Sequence, residues 1–164
     1  MREPQRTVIS NATPLIALAL IGQLELLQRL YTSVLIPPAV QAEVLAGGVG
    51  RPGYAELQRA SWLQLTPLQD PRRADLLSDL DRGEAEVLAL AQELNADLVI
   101  VDERLGRRHA KRLGLPLTGT LGVLLKAKSV GYLTEVKPWI EQLQQGGIRL
   151  DAFLVAEALQ LAGE

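Results

Sequence analysis

Residues 97–101 (DLVIV) carry no polar side chain after the first, and they lie between two stretches of helical periodicity. A strand with one wet face alternates apolar and polar residues. This run does not alternate, so a strand here is covered on both faces. Further short strands are expected at 7–10 (TVIS), 33–36 (SVLI) and 116–118 (PLT), with 62–65 (WLQL) a short strand or sheet edge. Helical segments separate them, near 14–21, 23–30, 38–47, 53–60, 84–94, 103–113, 121–128, 137–145 and 151–161. Strands joined through helices run parallel. The expected fold class is therefore α/β, a three-layer α/β/α sandwich with a mostly parallel central sheet. No repeat or linker divides the 164 residues, so one domain over 1–164 is expected. The polar, proline-containing stretch 66–73 is the best candidate for a mobile loop.

Composition narrows the chemistry. Only 4% of residues are aromatic, so the core must be built from Leu, Val, Ile and Ala. The absence of cysteine excludes a disulfide scaffold and a thiolate metal site. A formal charge of -2 leaves no global basic footprint, so any nucleic-acid binding must use a local patch. The apolar run 12–21 follows a strand, contains Pro14 and lacks a convincing cleavage site. It is also short of the roughly 20 residues that span a bilayer. The chain reads as soluble and cytoplasmic, with no membrane association.

In parallel sheets, sites form at the carboxyl ends of strands. Asn11 and Asp102 follow two of the expected strands, and Glu43 and Glu84 lie on helices that begin nearby. On the 84–94 helix, at about 100° per residue, Val87, Leu88, Ala91 and Leu94 share one face. Glu84 falls within that arc, where an acid needs a partner. It also sits in the first turn, where the helix dipole favours an anion, so improving the helix start is the alternative role. Glu86 and Glu93 point the opposite way and are expected in solvent. Glu43 flanks the Val40/Val44 stripe, as a residue reaching into a cleft would, or as a plain surface glutamate. Asp102 is either a site acid or the N-cap of the next helix, and one carboxylate can serve both. Glu103, Asp79 and Asp81 rank second, as solvated loop or first-turn acids. Carboxylates grouped at strand ends bind hard divalent cations that promote phosphodiester hydrolysis. Asn11 offers a neutral amide oxygen instead, or serves as a turn residue or cap. It cannot act as a general base.

Residues 104–112 (RLGRRHAKR) form the one dense basic segment. On a helix, Arg107, Arg108, Lys111 and Arg112 share a face, opposite Leu105, Gly106, His109, Ala110 and Leu113. That face is either a solvated back or, with Arg104, a ridge contacting phosphates. His109, the sole histidine, is expected packed and hydrogen-bonded. The turn Gly119-Thr120-Leu121-Gly122 looks like a phosphate-cradling helix start, but without a Walker lysine it reads as a backbone turn.

The series VISNATPLIALALIGQLELL, VLIPPAVQAEV, GEAEVLALAQELNADLVIVDER and GLPLTGTLGVLLKAK resembles PIN-domain proteins. More narrowly, it is similar to the small prokaryotic PIN proteins with GEAE and GTLGVLL motifs and to toxin nucleases of VapC type. The resemblance runs from about Thr7 to the chain end. It implies a Mg²⁺- or Mn²⁺-dependent endoribonuclease that leaves a 3′-hydroxyl and a 5′-phosphate. It places site positions at Asn11, Glu43, Glu84 and Asp102, where Asn11 stands in place of the usual aspartate. RNA is the implied substrate, with Arg104, Arg107 and Arg108 positioned to hold its backbone. A homodimer and a cognate antitoxin protein are the implied partners. The apolar stretch 12–30 is a candidate dimer interface, with packing inside the monomer as the alternative. A catalytically weak PIN-fold module that binds RNA or protein is the rival reading, motivated by Asn11. A Rossmann-like nucleotide binder is disfavoured, because the first strand lacks the glycine fingerprint.

Overall fold

The computed structural model describes residues 6–164. Five short strands form one sheet: β1 (Val8–Ser10), β2 (Val34–Ile36), β3 (Leu63–Leu65), β4 (Leu98–Ile100) and β5 (Leu117–Thr118). Every pairing is parallel, in the order β3-β2-β1-β4-β5. The register sets Ile9 beside Leu35 on one side and beside Val99 on the other. After β1 the chain builds outward through β2 and β3, then returns to add β4 and β5 on β1's other edge. The direction of winding reverses between β1 and β4, which is where open α/β sheets leave a crevice. Asn11 N–H donates to the Ile100 carbonyl at 3.0 Å, so Asn11 lies at that reversal.

Among the described residues ten helices surround the sheet: α1 (Ala12–Leu20), α2 (Glu25–Tyr31), α3 (Pro38–Ala46), α4 (Tyr54–Arg59), α5 (Arg72–Asp75), α6 (Arg82–Leu94), α7 (Arg104–Arg112), α8 (Thr120–Ser129), α9 (Lys137–Gln145) and α10 (Ala152–Ala162). The α/β sandwich matches the expected class, and its sheet is wholly rather than mostly parallel. The core is aliphatic as composition requires. Its largest fully buried side chains are leucines and isoleucines, among them Ile9, Leu18, Leu27, Leu88 and Ile100. Each such side chain contributes about 1.5–3 kcal/mol by leaving water. The apolar residues of 12–30 largely belong to this core, Leu15, Leu18, Leu26 and Leu27 included. Among the described residues, no helix is long and apolar enough to cross a membrane.

Helix α6 is the hub. Its burial runs unbroken from Gly83 to Ala91, and it packs against α3, α5, α7, β1 and β4. This corrects the expectation for Glu86 and Glu93. Glu86 is buried, and its Oε1 accepts the Ala39 N–H at 3.0 Å while Oε2 pairs with Arg82 at 2.8 Å. Pro37 and Pro38 have no N–H, so Ala39 is the first donor of α3, and Glu86 satisfies it across the interface. Arg82 continues the chain of contacts to Asp75 of α5 at 2.6 Å. Glu93 accepts from the backbone of Gln69 and Asp70 at 2.8 and 3.1 Å. The 66–73 segment is thus fastened to α6, buries Leu68 and turns into α5, which sequence reading missed. Leu94, expected on the inner face, is exposed. The polar face of α6 meets other elements rather than water, because helices close over it.

Candidate functional site

The floor of the site is Gly83 in the first turn of α6. A methyl group on its Cα would lie 3.2 Å from Glu43 Oε2, 3.4 Å from Asn11 Oδ1 and 3.5 Å from Asp81 Oδ1. Three oxygens from separate segments therefore ring one bare backbone position. Glu43 reaches it from the exposed edge of α3, beside the buried Val40 and Val44. Asn11 comes from the end of β1. It holds the N-cap position of α1 but makes no side-chain cap hydrogen bond. Asp81 is the N-cap of α6, with Oδ1 accepting the Glu84 N–H at 2.8 Å.

Glu84 points inward, as its place in the apolar arc predicted, and is 5% exposed. Its Oε1 lies 3.2 Å from the corresponding methyl position on Gly106, so the small residue of α7 leaves room for the carboxylate. Burial, then the charges of Asp81 and Glu103, push its pKa up to about 7. Glu43 is raised in the same direction, first by burial and then by Asp81 and Glu103. Asn11 Oδ1 and Glu84 Oε1 are buried and accept no hydrogen bond from the described residues. Such orphan oxygens are costly unless a donor or cation meets them.

Asp102, just past β4, is held by Thr120. Its Oδ1 accepts the Thr120 N–H at 2.7 Å and its Oδ2 accepts the Thr120 hydroxyl at 2.5 Å. It is not the N-cap of α7, a position held by Glu103. Thr120 thus spends both its N–H and its hydroxyl on Asp102. Gly119 is required for steric reasons, since a Cβ would stand 2.5 Å from Asp102 Oδ1. The carboxylate keeps spare lone pairs.

Among the described residues, no three Asp, Glu or His side chains come together as a ready cation cage. The three oxygens around Gly83 include one neutral amide, and that one is orphaned; the second orphan, Glu84 Oε1, lies against Gly106 and its carboxyl feels the charges of Asp81 and Glu43. That set fits a hard divalent ion that keeps several waters.

Of the basic residues, Arg104 and Arg108 are exposed as expected. Arg107 is half-buried, and its Nη1 donates to the Val101 carbonyl at 2.9 Å, fastening α7 to the end of β4. Arg112 leaves the ridge to donate to His109 Nδ1 at 3.2 Å. Arginine can only donate, so His109 carries its proton on Nε2 and gives it to Asp79 at 2.9 Å. That bond holds the Asp79 carboxyl below its ordinary value. His109 is packed and hydrogen-bonded as expected, whereas Asp79 is partnered rather than merely solvated. Leu105 is more exposed than the helix arithmetic implied. Asp102, Arg104, Arg107 and Arg108 line one groove of about 970 Å³ that also meets Phe153 and Leu154 of α10.

A family model described as PIN domain matches residues 7–164, nearly the whole chain. The chain belongs to the PIN-domain family. No curated protein matches it. The PIN fold is nuclease-like, and here Asn11 lies at the sheet's winding reversal while Asp102, past the end of β4, lines the groove with Arg104 and Arg108. Of the acids that sequence reading placed in second rank, Asp81 meets the cluster over Gly83, and Glu103 acts on Glu43 and Glu84 through its charge. A helix-capping Asp-x-Gly and a strand-end acid pair were the available signals.

Proposed function

We propose that this PIN-domain protein is a Mg²⁺- or Mn²⁺-dependent endoribonuclease acting on single-stranded RNA. The observation that carries the reading is the pair of orphaned buried oxygens, Asn11 Oδ1 in the cluster with Glu43 over Gly83 and Glu84 Oε1 against Gly106. Glu43, Glu84 and Asn11 would hold the ion, with Asp102 at the edge of the set. When bound, it supplies Lewis acidity toward the scissile phosphate and the attacking water. Arg104 and Arg108 pair with phosphates on either side of the cut, and Arg107 braces the strand end that carries Asp102. Water adds to phosphorus and gives its proton to solvent, and the departing O3′ takes one from solvent. The phosphorus–O3′ bond breaks, leaving a 3′-hydroxyl and a 5′-phosphate.

The test is cleavage of a mixed-sequence RNA with Mn²⁺ or Mg²⁺. Cutting by the wild type should vanish with EDTA and in Asp102→Asn. Cutting unaffected by EDTA would rule the mechanism out. A second reading, a PIN-fold module that binds RNA or protein with negligible turnover, draws on the amide at Asn11 and the lack of a three-acid cage among the described residues. It predicts cleavage only by Asn11→Asp. The reading as a toxin extends the first one: an antitoxin would place an arginine among Glu43, Asp81 and Glu84. Homodimerisation belongs to the same proposal, and a monomer by light scattering at micromolar concentration would remove it.

A further inference from the structure

We infer that Asp81 supplies the negative charge that Asn11 lacks, making it a cation-site residue as well as a helix cap. The inference rests on the divalent-cation reading above. Its geometric basis is the ring over Gly83, where Asp81 Oδ1 stands beside Asn11 Oδ1 and Glu43 Oε2. The independent pointer to a ligand is Asn11 itself: it is 2% exposed and its side-chain oxygen is orphaned within that ring. The Asp81 oxygen in the ring, Oδ1, is also the one that caps the Glu84 N–H. Asp81 is also exposed, so the site opens to water on its side. A neutral amide at the end of β1 is thereby matched by a carboxylate across the ring, on the turn that enters α6. Total charge at the site is preserved although its distribution has moved.

Mn²⁺ binding, measured by calorimetry at one fixed pH without RNA, tests this. Asp81→Asn keeps an excellent N-cap, so the fold survives. Asp81→Ser, a second neutral cap, guards against an effect peculiar to the amide. Both should bind Mn²⁺ about tenfold more weakly, or worse, as expected for one charge removed at contact range. The double variant Asn11→Asp with Asp81→Asn should recover wild-type affinity to within about threefold, since the charge is only moved. Glu103→Gln removes an exposed charge from the same neighbourhood and should cost far less. Wild-type affinity in Asp81→Asn, absence of recovery in the double variant, or an equal loss in Glu103→Gln would each overturn the inference and leave the cation reading standing. Absence of Mn²⁺ binding by the wild type would overturn both.

Discussion

Glu84 spends stability to be where it is. Its pKa is raised from 4.5 to about 7, with burial the first cause and Asp81 and Glu103 next. A carboxyl raised on folding stabilises the native state fully below its unfolded value and loses that contribution as pH rises through the folded one. The chelator-treated protein should therefore lose stability between about pH 5 and about pH 8, a slope dominated by Glu84 and Glu43. The lowered carboxyls of Asp70, Asp79 and Glu164 act in a more acidic window. Glu84→Gln should flatten the slope and gain roughly 2 kcal/mol at pH 8 while abolishing cation binding. A thermal melt series in EDTA reads the difference, and an unchanged slope would mean that Glu84 is not the titrating group. Gly83→Ala makes the complementary case. Alanine favours the helix by about 1 kcal/mol, yet its methyl would crowd Glu43 Oε2 at 3.2 Å. Stability should stay level or rise as cleavage falls at least about tenfold. At this scale the sequence was informative about Glu84, Glu43 and Asp102, because face, edge and strand end are local properties. It placed Asp81 only in second rank, because the meeting of Asp81 with Glu43 depends on how α3 lies against α6.

The same packing explains why the helical arithmetic for α6 was half right. Periodicity assigns each side chain a direction, and Glu84 obeys it. It cannot say whether the far side meets water or another helix. Here α3 and the segment leading into α5 cover that side, so Glu86 and Glu93 became acceptors for backbone N–H groups distant in sequence. Glu86 thereby sets where α3 begins, and α3 carries Glu43. Glu86→Ala should cost about 1–3 kcal/mol in urea unfolding, because Ala39 N–H loses its acceptor in a covered position. It should also weaken Mn²⁺ binding, although Glu86 touches none of the oxygens around Gly83. Glu86→Gln keeps an acceptor for Ala39 and should restore most of both properties. A full loss of stability with unchanged Mn²⁺ affinity would separate α3 placement from the site.

The parallel sheet was legible in runs such as DLVIV, but the strand order was not. Any strand buried on both faces has the same kind of sequence, and nothing local distinguishes the central β1 from its neighbours. Yet the order decides function, since it puts the ends of β1 and β4 side by side and starts α7 directly beyond Asp102. A chain with a formal charge of -2 thus presents a concentrated cationic ridge at its acidic crevice. Long-range attraction cannot come from net charge, so binding of RNA must depend on a few local phosphate contacts. Each contact to a single strand contributes about 0.7 to the slope of log affinity against log salt. In the Asp102→Asn background, which holds RNA without cutting it, Arg104→Gln with Arg108→Gln should lower that slope by about 1.4. Affinity should fall evenly across RNA sequences, because phosphate contacts read no bases. Arg107→Gln should behave differently. Its guanidinium is committed to the Val101 carbonyl, so the variant should lose stability with little change in slope. Fluorescence anisotropy over a salt series makes the comparison. An unchanged slope in the Arg104 and Arg108 double variant would take the RNA path off α7 and leave the groove's apolar wall at Phe153 and Leu154 as a surface for another ligand.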